Sequence, residues 1–200
     1  MLSYVVKKVS ELSDEAYKKS FFCMNADRQA KVKRYKNELQ KKCTLAGEWI
    51  AREIMSEITG KKPEYFIISV DEKGKLFCEN VLHLHFNISH SDNFVAVAVC
   101  NNPVGIDIET IRKVSLKLAK RVCTPKELEY VFNKIPDEED YLSENPTYIK
   151  RFLEIWTIKE AYFKCIGTGI TDFKSVDAFG NNFEKTKIEN TDYIMNIITK

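Results

Sequence analysis

The chain has no C-x-x-C pair: its six cysteines, Cys23, Cys43, Cys78, Cys100, Cys123 and Cys165, are scattered through 200 residues. That spacing argues against a zinc site or a redox dithiol, and for a reduced, cytoplasmic protein. A long hydrophobic run is missing as well. The longest, Phe94 to Cys100, falls far below the length needed to span a bilayer, and Met1-Leu-Ser-Tyr-Val-Val-Lys-Lys is too short in apolar length for a signal peptide. Neither sign of charge dominates. A net charge of +2 gives no global case for binding nucleic acid or a membrane surface.

The 44% of apolar residues is enough for a real core, in one domain or two small ones. The charge is unevenly distributed: from Arg28 to Lys42 there are seven basic residues (Arg28, Lys31, Lys33, Arg34, Lys36, Lys41, Lys42) against one acid, Glu38. Such a patch suits a compact polyanion such as a nucleotide phosphate, and it also describes a solvated helix face.

A faint internal repeat divides the chain. Trp49-Ile-Ala-Arg52-Glu53 precedes Gly60 and Trp156-Thr-Ile-Lys159-Glu160 precedes Gly167, both reading W-x-x-[basic]-E-x6-G at an offset of 107 residues. Asn93-Phe-Val-Ala-Val97 and Asp192-Tyr-Ile-Met-Asn196 form a second echo at an offset of 99. Both suggest a duplicated α/β unit with its boundary near Asn101-Asn102-Pro103, hence halves 1–102 and 103–200. Periodicity predicts strands at 2–6, 65–70, 83–88, 94–100, 104–109, 175–179, 183–189 and 193–199. It predicts helices at 14–22, 28–35, 39–59, 116–123, 125–133 and 146–166, and an exposed acidic loop at 137–144. Thr124-Pro125-Lys126-Glu127 and Asn145-Pro146 carry the cap-plus-proline signals of helix starts.

Two segments carry chemistry. Val104-Gly-Ile-Asp107-Ile-Glu109 alternates apolar and acidic residues, which puts both carboxylates on one strand face, their Cα atoms roughly 7 Å apart, with Ile106 and Ile108 toward the core. Two such acids also describe the wet side of an edge strand, but this strand follows a long apolar one and is expected to be central. In Trp156-Thr-Ile-Lys159-Glu160-Ala-Tyr-Phe-Lys164 the spacing places Glu160 and Lys164 one helical turn apart. If that helix docks beside the strand, three carboxylates and two lysines converge, a hard-cation site next to a phosphate site. A third constellation, Phe86-Asn-Ile-Ser89-His90-Ser91, reads as a strand entering a loop whose histidine can donate to a phosphate oxygen or take a proton. Trp49, Arg52, Glu53 and Trp156 read as structural, and His83 and His85 as strand-face residues.

Phe-Asn-Ile-Ser-His-Ser, then Gly-Ile-Asp-Ile-Glu, then Trp-x-x-Lys-Glu-Ala-x-x-Lys, in that order and spacing, resembles the 4′-phosphopantetheinyl transferases of the larger, surfactin-synthetase-activating type. The resemblance runs from Arg28 to Gly169. It implies an α+β pseudodimer of two similar halves with the active site in the cleft between them. It also implies a monomeric enzyme that moves the 4′-phosphopantetheine arm of coenzyme A onto a serine of an acyl or peptidyl carrier protein, releasing adenosine 3′,5′-bisphosphate. By the same resemblance Asp107, Glu109 and Glu160 hold Mg²⁺, Lys159 and Lys164 neutralise phosphate, and Ser89 and His90 contact the coenzyme A phosphates. Arg28, Lys31, Thr44 and Lys75 contact the nucleotide. Glu160, directly or through a water it relays, is the preferred general base and His90 the second choice. The runner-up reading is a non-catalytic coenzyme A or nucleotide-binding module of the same fold. Residues 115–122 are the expected carrier-docking region. Three features depart from the family's pattern: Cys43 replaces a common arginine, Leu76 a frequent proline, and the chain after Phe179 is short, with room for about two strands.

Overall fold

The computed structural model describes residues 1–134, 145–180 and 182–200. The acidic stretch 137–144, expected as a loop, lies outside the described residues. The first half runs β1 (Leu2–Lys8), α1 (Asp14–Cys23), α2 (Ala26–Arg34), α3 (Glu38–Thr59), β2 (Ile68–Val70), β3 (Leu76–Cys78), β4 (His85–Ser91) and β5 (Phe94–Cys100). The second runs β6 (Val104–Thr110), α4 (Leu116–Val122), α5 (Pro125–Phe132), α6 (Pro146–Ile166), β7 (Glu184–Glu189) and β8 (Tyr193–Thr199).

Local chemistry sets the helix boundaries. Ser13, Asn25, Asn37, Ser115, Thr124 and Asn145 each cap a helix with a side-chain oxygen, and Thr124 with Glu127 forms a full capping box. The two long helices, α3 and α6, end on Gly60 and Gly167 at φ 71° and 69°, left-handed positions that glycine fills without strain. These are the two glycines of the sequence repeat.

The repeat extends to topology. One sheet has the order β1-β5-β4 and the other β6-β8-β7, each antiparallel, and each places the last strand of its half between the other two. β5 and β8 are the two strands of the second sequence echo. Among the described residues each of these sheets has three strands. In each half the long helix packs on one face of the sheet. Val95, Val97 and Val99 face the core under α3, and Ile194 and Ile198 face the core under α6. The intervening residues, Ala96, Ala98 and Cys100 of β5 with Ile106 and Ile108 of β6 and Met195 and Ile197 of β8, form a third core between the sheets. β5 is thus buried on both faces, which accounts for its unbroken apolar sequence.

Two expected elements differ. Residues 175–179 form no strand: a short 3₁₀ turn, Phe173–Ser175, is followed by a turn in which Gly180 N–H donates to Asp177 O at 3.0 Å. The segment 65–70 is a strand only over Ile68–Val70, paired with β3, which the pattern missed because three residues are too few to show a period.

α6 crosses β6 at Gly105. A Cβ there would lie 1.9 Å from the Ala161 carbonyl oxygen and 2.4 Å from the Cys165 nitrogen, both backbone atoms that cannot swing aside. Glycine at this position sets how closely Glu160 and Lys164 approach Asp107. Gly105→Ala is expected to lower stability by about 1–3 kcal/mol, read as a lower denaturant midpoint; an unchanged midpoint contradicts the close seating of the helix.

Candidate active site

β6, expected to be central, is an edge strand of its sheet, so alternate N–H groups point away from β8 and need partners. They find them in β4, which runs parallel alongside but belongs to the other sheet. Ile106 N–H donates to Asn87 Oδ1 at 3.0 Å, Ile108 N–H to Ser89 Oγ at 3.4 Å, and Thr110 N–H to Ser91 Oγ at 3.1 Å. Side chains at every second residue of β4 thereby close the seam between the halves. This corrects the reading of Ser89-His90-Ser91 as a loop: all three lie in β4, paired through to Ser91↔Phe94. The reversal follows at Asp92, whose φ of 49° is the left-handed conformation of a tight hairpin.

The seam delivers the acids. Asp107 is 5% exposed; its Oδ1 accepts from Ser89 Oγ at 2.9 Å and from Lys164 Nζ at 2.5 Å, while its Oδ2 is buried with no hydrogen-bond partner. Glu109 Oε2 accepts from Ser91 Oγ at 3.3 Å and from Arg112 Nε at 3.4 Å. Glu160, from α6, joins them in a cavity of about 240 Å³ lined also by His90, Trp156 and Lys164. A second cavity of about 360 Å³ shares Ile88, Glu160 and Lys164 with the first and extends past Lys75, Leu76, Phe163 and Ile170. Together they make one cleft between the halves.

Burial, and then the neighbouring acids, make ionisation of the cleft carboxyls unfavourable. Burial raises the Glu160 carboxyl from its ordinary 4.5 to about 7, helped by Asp107 and Glu109 and opposed by Lys164. Burial and then Asp107 raise Glu109 too, against Arg112 and Ser91. His90 is exposed at the rim, and its pKa is held below its usual value by desolvation and then by Lys164, with Asp107 opposing. Among the described residues no three His, Cys, Asp or Glu side chains are gathered so as to hold a metal ion as they stand. The Lys164 ammonium takes one Asp107 oxygen and Arg112 pairs with Glu109.

Other expected residues are placed differently. Lys159 does not reach the cleft. It is fully buried, donating to Glu127 Oε2 at 2.6 Å and to Val122 O at 3.0 Å, so it ties α6 to the α4–α5 junction. Its counterpart in the repeat, Arg52, is buried in the same way and donates to the carbonyls of Phe66, Cys23 and Pro63. Ser89 also cannot serve phosphate here: its one proton goes to Asp107 and its two acceptor sites to Ile108 N–H and Lys164. Arg28 is buried against Glu48. Lys31 is exposed on α2, and Thr44 Oγ1 donates to Gln40 O at 3.0 Å. None of these last three lines either cavity. Cys43 points into the first core with 1% exposure, so an arginine's role is not exercised from that position. Lys75 lines the larger cavity, its Nζ donating to the carbonyls of Lys164 and Cys165 at 2.7 and 2.8 Å across the halves. Sequence reasoning missed Asn87, Ser91 and Gly105; the alternation of small polar residues in Asn87-Ile-Ser89-His-Ser91 was the available signal.

The family model described as 4′-phosphopantetheinyl transferase superfamily matches residues 103–196, and the one described as 4′-phosphopantetheinyl transferase, N-terminal, matches residues 11–102. The 4′-phosphopantetheinyl transferase HetI of Nostoc is 30% identical over 174 residues, 83% of this chain and 69% of HetI. The chain belongs to the 4′-phosphopantetheinyl transferase family. Similar relatives also include the 4′-phosphopantetheinyl transferase gsp of Aneurinibacillus migulanus, 33% identical over 74% of this chain and 57% of gsp. The 4′-phosphopantetheinyl transferase Sfp of Bacillus subtilis is 29% identical over 80% of this chain and 67% of Sfp. The matched part of the chain spans 57% of gsp and 62% of a second Bacillus subtilis relative, less than two thirds of either. Among the described residues no helix is long and apolar enough to cross a membrane.

The raised Glu160 carboxyl has a sign that can be tested. An unfolded glutamate loses its proton near 4.5 and the folded one near 7, so the metal-free protein loses stability as pH rises through that window. With a chelator present, the thermal midpoint of the wild type is expected to fall more between pH 5 and pH 8 than that of Glu160→Gln. Parallel pH profiles contradict the assignment.

Proposed function

We propose that this protein transfers the 4′-phosphopantetheine arm of coenzyme A to a serine of an apo carrier protein and releases adenosine 3′,5′-bisphosphate. The observation that carries this reading is the convergence of Asp107, Glu109, Glu160, Lys164 and His90 on one cleft between the halves. Its Mg²⁺ dependence is supported by the donor set. Three carboxylates with no soft ligand suit a hard cation, and the buried Asp107 Oδ2 lacks any partner. Asp107, Glu109 and Glu160 would hold the ion, which when bound supplies charge neutralisation at the pyrophosphate.

The chain's own residues supply the rest. Lys164 has a side chain 30% exposed and an ammonium already at the cleft, so it can pass from Asp107 to a phosphate oxygen. His90 at the rim donates to the same phosphates. Glu160, a carboxylate in the same cleft, takes the proton of the attacking serine. Lys75 lies in the longer cavity, where a nucleotide would extend. On α2, Arg28 is committed to Glu48, and Lys31 is exposed outside both cavities.

The carrier is met by the segment that follows β6. From residue 110 to residue 126 there are six basic residues and no acid, and Arg112, Lys113, Lys117, Lys120, Arg121 and Lys126 are all exposed. This surface suits an acidic carrier domain. One chain supplies both walls of the cleft, so a monomer suffices, and the six free cysteines suit the reducing cytoplasm.

Purified protein incubated with Mg²⁺, coenzyme A and an apo carrier is expected to add the mass of one phosphopantetheine to the carrier's serine by intact-mass spectrometry. Asp107→Ala is expected to add none while keeping the wild-type circular dichroism. A carrier mass that never shifts, across several unrelated carriers, leaves a coenzyme A-binding module without turnover.

A further inference from the structure

The hydrogen bonds across the seam have a repeat of their own. Ser89 on β4 accepts from the N–H of Ile108, nineteen residues on, and donates to the carboxylate of Asp107, eighteen residues on. Ser91 accepts from the N–H of Thr110, again nineteen on, and its Oγ lies 3.3 Å from Glu109 Oε2, again eighteen on. Asn87 accepts from Ile106 N–H in the same register, and the residue eighteen on is Gly105, which has no side chain to hold. Each serine therefore grips both the backbone of β6 and the acid one residue before the gripped N–H.

The proton count favours the carboxylate at Ser91. Its Oγ is also 3.2 Å from Thr110 Oγ1, but that hydroxyl donates to Asp92 Oδ2 at 2.6 Å. The Ser91 proton is thus shared between a neutral oxygen and a carboxylate, and charge-assisted bonds to carboxylate are the stronger. The arrangement also couples acid orientation to the join between the halves: the atom that fixes the seam fixes the carboxylate.

We infer that Ser89 and Ser91 are positioning residues that present Asp107 and Glu109 to the cation of the transfer reaction, with Ser91 setting the direction of Glu109 against the pull of Arg112. The inference rests on the proposed Mg²⁺ site. Hydrogen-bond partners of metal-bound carboxylates act on affinity without touching the ion. Ser91 is the better probe because it sits at the end of β4, half-buried, and its loss leaves the bonds of Asn87 and Ser89 in place.

The test is a titration of Mn²⁺ into the protein saturated with coenzyme A, with free Mn²⁺ read by electron paramagnetic resonance and Asp107→Asn as the baseline. Ser91→Ala is expected to weaken Mn²⁺ binding about tenfold, with the thermal midpoint without metal lowered by the loss of the Thr110 N–H partner but the cooperative transition kept. Ser91→Thr, which keeps the hydroxyl, is expected to restore both Mn²⁺ binding and the thermal midpoint. If the wild type binds above the baseline and Ser91→Ala binds as tightly, the positioning role is overturned and the metal site stands. If the wild type binds no better than Asp107→Asn, the metal site falls and the positioning role with it.

Discussion

Three short polar side chains hold the two halves together at the point where chemistry is proposed. Asn87, Ser89 and Ser91 accept the unpaired edge N–H groups of β6, so β4 and β6 run side by side without sharing a backbone ladder. A continuous backbone ladder would have merged the sheets. Side-chain bridging leaves the sheets distinct, packed over a shared apolar core, with a cleft open above the seam where α6 lies. Because hydroxyls can donate and accept at once, the same atoms that close the seam also reach the acids beside it.

What the seam presents is an unbalanced charge. Asp107, Glu109 and Glu160 come from two elements of one half, and Gly105 lets α6 approach β6 closely enough for Glu160 and Lys164 to face Asp107. Lys164 and Arg112 face three carboxylates in a part-buried cleft, and burial first, then the neighbouring Asp107, holds the Glu160 proton up to about pH 7. Such a cluster costs stability in the free protein and suits a site that takes up positive charge with its substrate.

Much of this was legible in the sequence. The alternation in Val104-Gly-Ile-Asp-Ile-Glu placed both acids on one face and Ile106 and Ile108 in the core, as found. The Trp-x-x-basic-Glu repeat marked the two long helices that end on Gly60 and Gly167. The same repeat also held the answer for Lys159. Arg52 was read as structural, and its equivalent is structural too; the family motif pulled the assignment toward phosphate. Helical spacing puts Lys159 and Glu160 100° apart, so only one of them can face the cleft. The seam was illegible for another reason. Asn, Ser and Ser at alternate positions look like a loop because small polar residues favour turns, and only the neighbouring strand's unpaired N–H groups make them strand residues. Nor does sequence reveal that Arg28 has a buried carboxylate, Glu48, at hand.

The central claim is that the cleft is a metal-dependent coenzyme A site shared by both halves. Calorimetric titration of coenzyme A into the protein, once with Mg²⁺ and once with a chelator, tests it most directly. Tighter binding with Mg²⁺ than without is the predicted result. Binding that is equally tight with the chelator would contradict the account, because the three carboxylates would then be facing the pyrophosphate with no cation between them.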